Sequence, residues 1–159
     1  MALSENEREQ FLAEPHIGAL SVADGADRGP LTVPIWYLYS PGGKPWILTG
    51  KDSRKARLIE SAGHFSLMAE RLDPTIRYVS VSGSVDKIVP GTDEMLVEVS
   101  RRYLTPDKVD GYLEFARSQL GEQVALYMNP QHWLSADLGG DLTLHRKGKA
   151  RRAGVACRA

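Results

Sequence analysis

The sequence predicts a mostly β, α+β domain in which an antiparallel sheet is flanked by a few helices. Residues 77–89 alternate apolar and small polar side chains, which is the two-residue period of a half-buried strand. Residues 16–49 hold short apolar runs separated by turns rich in Gly and Pro, a pattern typical of hairpins. Hairpins dominate, so the sheet should be mostly antiparallel, and in a chain of 159 residues it should close into a small barrel.

The first third of the chain is expected to form one helix followed by an antiparallel meander. Ser4 and Glu7 make a capping-box pair, which predicts a helix start. Strands are expected at 16–23, 30–39 and 46–49, joined by turns at 24–29 and 40–45. Pro34 lies inside the second strand. Because proline has no N–H to donate, it marks an edge, a bulge or a place where the backbone faces a ligand.

The remaining elements alternate less regularly. Ser53 suits a helix N-cap and Gly63 a helix C-terminus, so a helix is expected between them. Strands follow at 64–70 and 77–89, and Gly83 on the apolar face of the second allows a bulge or a close approach. Two helices are expected at about 92–103 and from Thr105 to Gly121. Two last strands, 123–128 and 132–138, would flank the NPQ segment, giving about seven strands and four helices in all.

Charge divides the chain into two parts. The formal net charge is zero, which argues against a dedicated nucleic-acid binder. Six cations and no acid lie from His145 onward, so the remainder holds 14 cations and 20 acids. We therefore expect a folded domain at 1–140 and a basic, disordered tail at 141–159. The lone Cys157 excludes an intramolecular disulfide, and with no long apolar run or secretory leader a cytoplasmic, non-membrane protein is expected.

Most familiar catalytic patterns are missing. The four histidines form no HxxxH or HExxH pattern, and one cysteine makes no thiolate set, so no metal site is predicted. The sequence contains no GxSxG elbow, no GxxxxGK[ST] loop and no GxGxxG turn. No side chain is identified as a catalytic acid, base or nucleophile.

The segment LTGKDSRKARL, residues 48–58, is the first candidate site. Thr49 would end a strand, Gly50 would permit a tight turn, and Ser53 would open a helix whose free N–H groups favour an anion. Full positive charges are added by Lys51, Arg54 and Lys55. The alternative is a helix start with solvated cations, although cations at a helix N-terminus oppose the helix dipole.

The strand segment TVPIWY, residues 32–37, is the second candidate. Backbone groups around its proline are free to meet a planar polar ring, and Trp36 or Tyr37 could pack against that ring. The alternative is that Ile35, Trp36 and Leu38 are core and barrel-rim residues.

Together the two segments resemble the split β-barrel flavin- and deazaflavin-binding proteins related to pyridoxamine 5′-phosphate oxidase. The resemblance covers residues 5–138. It consists of a strand with a Pro-hydrophobic-Trp element, a Gly-containing turn, a second strand, and then T-x-x-x-S-x-K-x-x-L from Thr49 to Leu58. The later strand RYVSVSGSV also matches. The compact, short-loop form looks most like the actinobacterial branch that binds coenzyme F420.

The resemblance implies a homodimer with the cofactor held between subunits. It implies that Lys55, with Thr49, Ser53 and Arg54, holds the cofactor phosphate and that Lys51 helps at the rim. The ring would be lined, largely through backbone, by Val33, Pro34, Ile35 and Trp36. Residues 128–133 of the partner subunit would close the pocket.

Three functions stay open at this point. The first is an F420-dependent reductase that transfers a hydride to a small electron-poor substrate, which the sequence does not identify. The second is an FMN-binding oxidoreductase of the same fold, and the third is a non-catalytic flavin or deazaflavin carrier. Oxidation of pyridoxamine phosphate is not implied, because residues 135–154 show no equivalent of the oxidases' C-terminal Arg and His set.

Overall fold

A computed structural model describes residues 1–139 and shows one seven-stranded antiparallel sheet with four helices. The expected tail lies outside these residues. The helices are α1 (Glu5–Ala13), α2 (Arg54–Ala62), α3 (Asp93–Tyr103) and α4 (Pro106–Gln119). The strands are β1 (Gly18–Val22), β2 (Leu31–Ile35), β3 (Tyr37–Leu38), β4 (Trp46–Gly50), β5 (His64–Arg71), β6 (Arg77–Pro90) and β7 (Gln123–Asp137).

The strand order explains how the sheet closes. The order is β2-β1-β5-β6-β7-β4-β3, so the two edge strands are consecutive in sequence and only Trp36 separates them. The prediction of a continuous meander over residues 16–49 is therefore wrong. β1 and β2 pair as expected, but β3 and β4 form their hairpin at the opposite end of the sheet. The chain crosses the open seam of the barrel at Trp36.

The last strand also differs from the prediction. Residues 123–137 form one long strand along β6 instead of two strands flanking NPQ. The register moves from Ser82 opposite His132 to Gly83 opposite Pro130, so Gln131 is an extra residue in a β-bulge. Gly83 permits this, since a Cβ at that position would lie 1.7 Å from the Asn129 carbonyl oxygen. The predicted close approach at Gly83 is confirmed.

The barrel interior forms the main core. Val79 and Val81 are fully buried and face inward from β6, while Ser80 and Ser82 lie on the outer face. Helix α1 covers one end of the barrel with Phe11. Every strand contributes buried side chains to this cluster, among them Leu20, Ile35, Tyr37, Ile47, Phe65, Leu67, Leu126 and Met128.

Helices α3 and α4 form a cap between β6 and β7. Its two ends meet at a backbone hydrogen bond from the Gly91 N–H to the Gln123 carbonyl, 2.7 Å long. The cap has its own small core, formed by Leu96, Val109, Leu113 and Ala116. A second cluster joins it to the barrel and contains Leu38, Trp46, Val99 and Ala125.

Candidate functional site

The two sequence segments singled out above meet in one cleft of ≈ 580 Å³. It lies where the end of β2, the end of β4 and the start of α2 face the helical cap. The lining divides into an apolar end and a polar end. The lining side chains from the two predicted segments are Pro34, Ile35, Trp36, Leu48, Thr49, Ser53 and Lys55.

The polar end is built around the start of α2. Ser53 is the N-cap, and its hydroxyl accepts a hydrogen bond from the Ala56 N–H at 3.2 Å. The same hydroxyl lies 3.3 Å from Thr49 Oγ1, a side chain that is 6 % exposed. These contacts fix two hydroxyls and the first turn of a helix beside the half-buried Lys55. A helix N-terminus, hydroxyls and an ammonium group together are a donor set suited to a phosphate.

The four cations of this turn are arranged in two ways. Lys51 Nζ lies 3.3 Å from Glu122 Oε2, and Arg54 donates to the Asp24 carboxylate. Neither side chain lines the cleft. Within residues 1–139, Lys55 and Arg57 have no carboxylate within 4.0 Å, and of these two only Lys55 lines the cleft. The structure thus leaves one cation of the cluster facing the site without an acidic partner.

The apolar end is dominated by aromatic rings. Trp36 stacks on Tyr103 with a centroid distance of 5.0 Å and an interplanar angle of 7°, and Tyr112 lies tilted at 5.3 Å. Tyr37 is fully buried and donates to the Leu12 carbonyl, so it does not face the cleft. Ile35 and Leu38 are buried, as expected for core residues.

Val33 lies apart from the rest of its segment. It packs against the barrel core and lines a neighbouring depression of ≈ 550 Å³ with Ile17, Met68 and Glu70. Pro34 lines both this depression and the main cleft.

The cap contributes side chains that the sequence did not indicate: Leu96, Val99, Tyr112 and Leu120. Amphipathic helices were expected there, but periodicity does not show which surface of the barrel they cover. Burial raises the pKa of the Tyr112 phenol above its ordinary value of 10, so this hydroxyl stays protonated at neutral pH and is available as a donor.

Residues 128–133, expected to close a partner's pocket, do not line the cleft of their own chain. Met128 is fully buried in the barrel, and Gln131 folds back so that its side-chain oxygen accepts from the Ser84 N–H at 3.1 Å. Elsewhere in residues 1–139, no three or more His, Cys, Asp or Glu side chains converge as a metal site would require. None of the described helices combines the length and apolar character of a membrane span.

Comparisons with known proteins place this geometry in a structural class. No family model and no curated protein matches the sequence. Among solved structures, a conserved hypothetical protein from Mycobacterium tuberculosis superposes with a TM-score of 0.64 at 23% identity, over 86% of each chain. An F420 reductase gives 0.62 at 23% identity, covering 79% of this chain and 94% of that one.

A putative pyridoxamine 5′-phosphate oxidase from Listeria innocua gives a TM-score of 0.54 at 15% identity, over 82% of this chain and 96% of that one. The chain therefore has the split β-barrel fold of the pyridoxamine 5′-phosphate oxidase-like proteins. The predicted fold class is confirmed.

Proposed function

We propose that this protein is a coenzyme F420-dependent oxidoreductase that transfers a hydride between the deazaflavin and a small electron-poor organic substrate. One observation carries the proposal: the folded chain joins the Pro34–Trp36 segment and the Thr49–Lys55 turn in a single cleft. These segments are far apart along the sheet order and are brought together only by its closure at the seam. The fold shared with an F420 reductase supports the same function.

The cleft fits the two chemical parts of a deazaflavin coenzyme. Its volume falls within the about 300–1,000 Å³ usual for small-molecule sites. Apolar walls from Trp36, Val99 and Leu120 suit a planar ring, while Lys55, Thr49 and Ser53 suit a phosphate. When bound, the coenzyme supplies the hydride chemistry.

The residues of this chain would bind, orient and shield the coenzyme. Lys55 would pair with the phosphodiester, and the hydroxyls of Thr49 and Ser53 would fix its position. Pro34 and Ile35 would approach the ring edge, and the cap would exclude water from it. The Tyr112 hydroxyl is the protonated donor of the apolar end and would hydrogen-bond an acceptor atom of the substrate.

FMN binding on the same site is the second candidate, because its phosphate and ring would use the same two ends of the cleft. A carrier without turnover is the third. It is supported by the lining itself, in which Lys55 and Tyr112 are the titratable groups among residues 1–139. Turnover with reduced coenzyme separates the two enzyme functions from the carrier, and relative affinity separates F420 from FMN.

We also propose a homodimer with cofactor sites at the subunit interface. The apolar faces of residues 79–85 and 123–128 are largely buried in the barrel core, so they do not form a dimer surface. The dimer is supported by Leu134, an apolar side chain that is 65% exposed on the outer face of β7 and that a partner subunit would cover. Sedimentation equilibrium at micromolar concentration should give twice the chain mass, and a monomer would contradict the shared site.

A fluorescence titration of F420 into parent and variant proteins tests the cofactor assignment. Lys55→Ala should weaken binding by about 1.5–3 kcal/mol, roughly 10- to 150-fold, because it removes a charged hydrogen bond to the phosphate. Arg57→Ala is the matched control: it removes a cation from the same helix that does not line the cleft. It should change affinity little, since exposed charges are screened.

Salt and FMN provide further checks on the assignment. The affinity of the parent for F420 should fall as salt rises, because the contact is ionic. If the parent and Lys55→Ala bind F420 with equal affinity, Lys55 does not contact the cofactor phosphate. A parent that prefers FMN at every salt concentration would favour the second candidate.

A further inference from the structure

Two carboxylates lie beside the turn of residues 48–58 and pair with two of its four cations. Asp24, in the loop between β1 and β2, has a side chain only 16% exposed and accepts from Arg54, while Arg28 approaches it at 3.7 Å. Glu122 lies at the end of the cap and pairs with Lys51 at 3.3 Å. Each carboxylate therefore pairs with one cation of the turn outside the cleft. Lys55 remains as the full positive charge that faces the cleft.

This arrangement matches some phosphates better than others. A phosphodiester carries one negative charge, whereas a phosphate monoester with a second pKa of about 6 carries nearly two at neutral pH. One lysine with a helix N-terminus neutralises a monoanion. A dianion in the same place would leave one charge unpaired in a partly desolvated site, which is costly.

We infer that Asp24 is a specificity-determining residue, which selects phosphodiester ligands over phosphate monoesters by holding Arg54 away from the cleft. The inference rests on the proposed function, since it assumes a phosphate at Lys55. It departs from the expectation that Arg54 contacts the phosphate. Arg54 is the first residue of α2 and lies between two cleft-lining residues, Ser53 and Lys55. Once freed, its side chain is placed to reach a second phosphate charge.

Asp24 should affect the selection between phosphodiesters and phosphate monoesters more than Glu122 does. The Lys51–Glu122 pair is exposed on both sides, with side-chain exposures of 58% and 82%, so water and salt weaken it and Lys51 is easily released. Asp24 is largely covered and is contacted by two guanidinium groups. A partly buried carboxylate held in this way is the stronger constraint on its partner.

The test compares four probes by titration at pH 8: F420, the same deazaflavin without its phosphodiester, FMN and riboflavin. The ratio of affinities within each pair reports the contribution of the phosphate together with any group that it carries. Asp24→Asn should raise the FMN-to-riboflavin ratio about tenfold, the effect of one additional modest charged contact, and change the F420 ratio less than about twofold. Asp52→Asn is the matched control: this acid of the same turn is exposed and has no ion pair within residues 1–139. It should change neither ratio.

A second variant keeps the inference testable if Asp24→Asn does not fold. Arg54→Gln in the otherwise unchanged chain should leave the F420 affinity within about twofold, because Arg54 is already engaged elsewhere. In the double variant with Asp24→Asn, the gain for FMN should disappear. A tenfold loss of F420 affinity in Arg54→Gln, or an unchanged FMN ratio in Asp24→Asn, would overturn the inference while leaving the proposed function intact. If the parent binds neither phosphate-bearing probe more tightly than its phosphate-free analogue, the proposed function itself fails.

Discussion

The barrel and the helical cap are built on different principles. In the barrel, consecutive ladders of backbone hydrogen bonds run from β2 to β3, and inward side chains such as Val81 and Leu67 are completely buried. The cap is a pair of helices with a core of four buried side chains, attached to the barrel by a second small cluster. The cleft lies between a rigid part and a lightly attached part. Changes to each should therefore affect stability and binding differently.

A few side chains join the two parts at the barrel seam. The Tyr37 N–H donates to the Tyr103 hydroxyl at 3.0 Å, and that hydroxyl lies 2.8 Å from the Tyr37 carbonyl and 2.9 Å from the His16 carbonyl. Arg102 donates to the Ala13 and Glu14 carbonyls, each at 2.9 Å, at the end of α1. The end of α3 thus hydrogen-bonds to backbone groups of Tyr37, in β3, and of residues 13–16, at the end of α1 and before β1.

The largest expected effect breaks the barrel side of this comparison. Gly83→Ala would place a Cβ 1.7 Å from the Asn129 carbonyl oxygen, where only backbone movement gives relief. We expect destabilisation of at least about 3 kcal/mol, the upper end of the usual range for overpacking. The free energy of unfolding in urea, followed by tryptophan fluorescence, measures it.

Gly111→Ala is the matched change in the cap. Gly111 is an exposed residue inside α4, and no atom lies within 4 Å of the position of an added Cβ. Alanine there should stabilise the protein by about 0.5–1 kcal/mol, because glycine weakens a helix interior. Equal effects of the two substitutions would show that the bulge opposite Gly83 is not tightly packed.

An effect of intermediate size is expected at the barrel seam, where the end of α3 contacts Tyr37. Tyr103→Phe keeps the ring stacked on Trp36 but removes the hydroxyl that serves the Tyr37 N–H. Leaving a buried donor unsatisfied costs about 1–3 kcal/mol, so the free energy of unfolding in urea should fall by that amount. F420 affinity should also fall, because the hydroxyl holds the Tyr37 backbone and the adjacent Trp36 lines the cleft.

Tyr112→Phe makes the same chemical change within the cap and serves as its control. The Tyr112 hydroxyl has no hydrogen-bond partner among residues 1–139 in its cleft-facing position, so stability should change by less than about 0.5 kcal/mol. A larger loss from Tyr112→Phe than from Tyr103→Phe would contradict the role given to the seam.

Local features of the fold could be predicted from the sequence, because adjacent residues determine them. Ser53 caps α2, and Gly63 ends it with a φ of 73° in the left-handed region, as expected. The capping box of Ser4 and Glu7 is also present. Each depends on residues within one helical turn of each other. The alternation that placed Val79 and Val81 inside the barrel is local in the same sense.

Non-local features could not be predicted in this way. The break at Trp36 that sends β3 to the far end of the sheet depends on pairing with β4 and on a hydrogen bond between Tyr37 and Tyr103, 66 positions along the chain. The engagement of Arg54 by Asp24 likewise depends on how a loop folds over a helix start. Sequence spacing placed the cations in one turn, but which of them face the cleft depends on these distant partners.

The smallest expected effect is on the stability of the protein at low pH. It compares an ion pair at the end of the barrel strand β7 with an ion pair in the cap. Asp137, at the end of β7, accepts from Arg77 at 2.6 Å and from Thr75 at 3.0 Å. Its pKa is lowered to about 2, first by the hydrogen bond from the Gly139 N–H and then by Arg77. Since the folded pKa lies below the ordinary value of 3.8, the stabilisation is present above about pH 4 and is lost as the pH falls towards 2.

Asp137→Asn should therefore lower the urea midpoint at pH 5, and the difference from the parent should shrink steadily between pH 4 and pH 2. The matched variant is Asp93→Asn in the cap, where Arg117 holds the pKa of the carboxyl below its ordinary value. That pair is about half exposed on both sides, so solvent screening should make its effect smaller than that of Asp137. A difference between parent and Asp137→Asn that persists unchanged at pH 2 would show that the asparagine perturbs packing at the end of β7 and that the carboxylate charge is not what stabilises it.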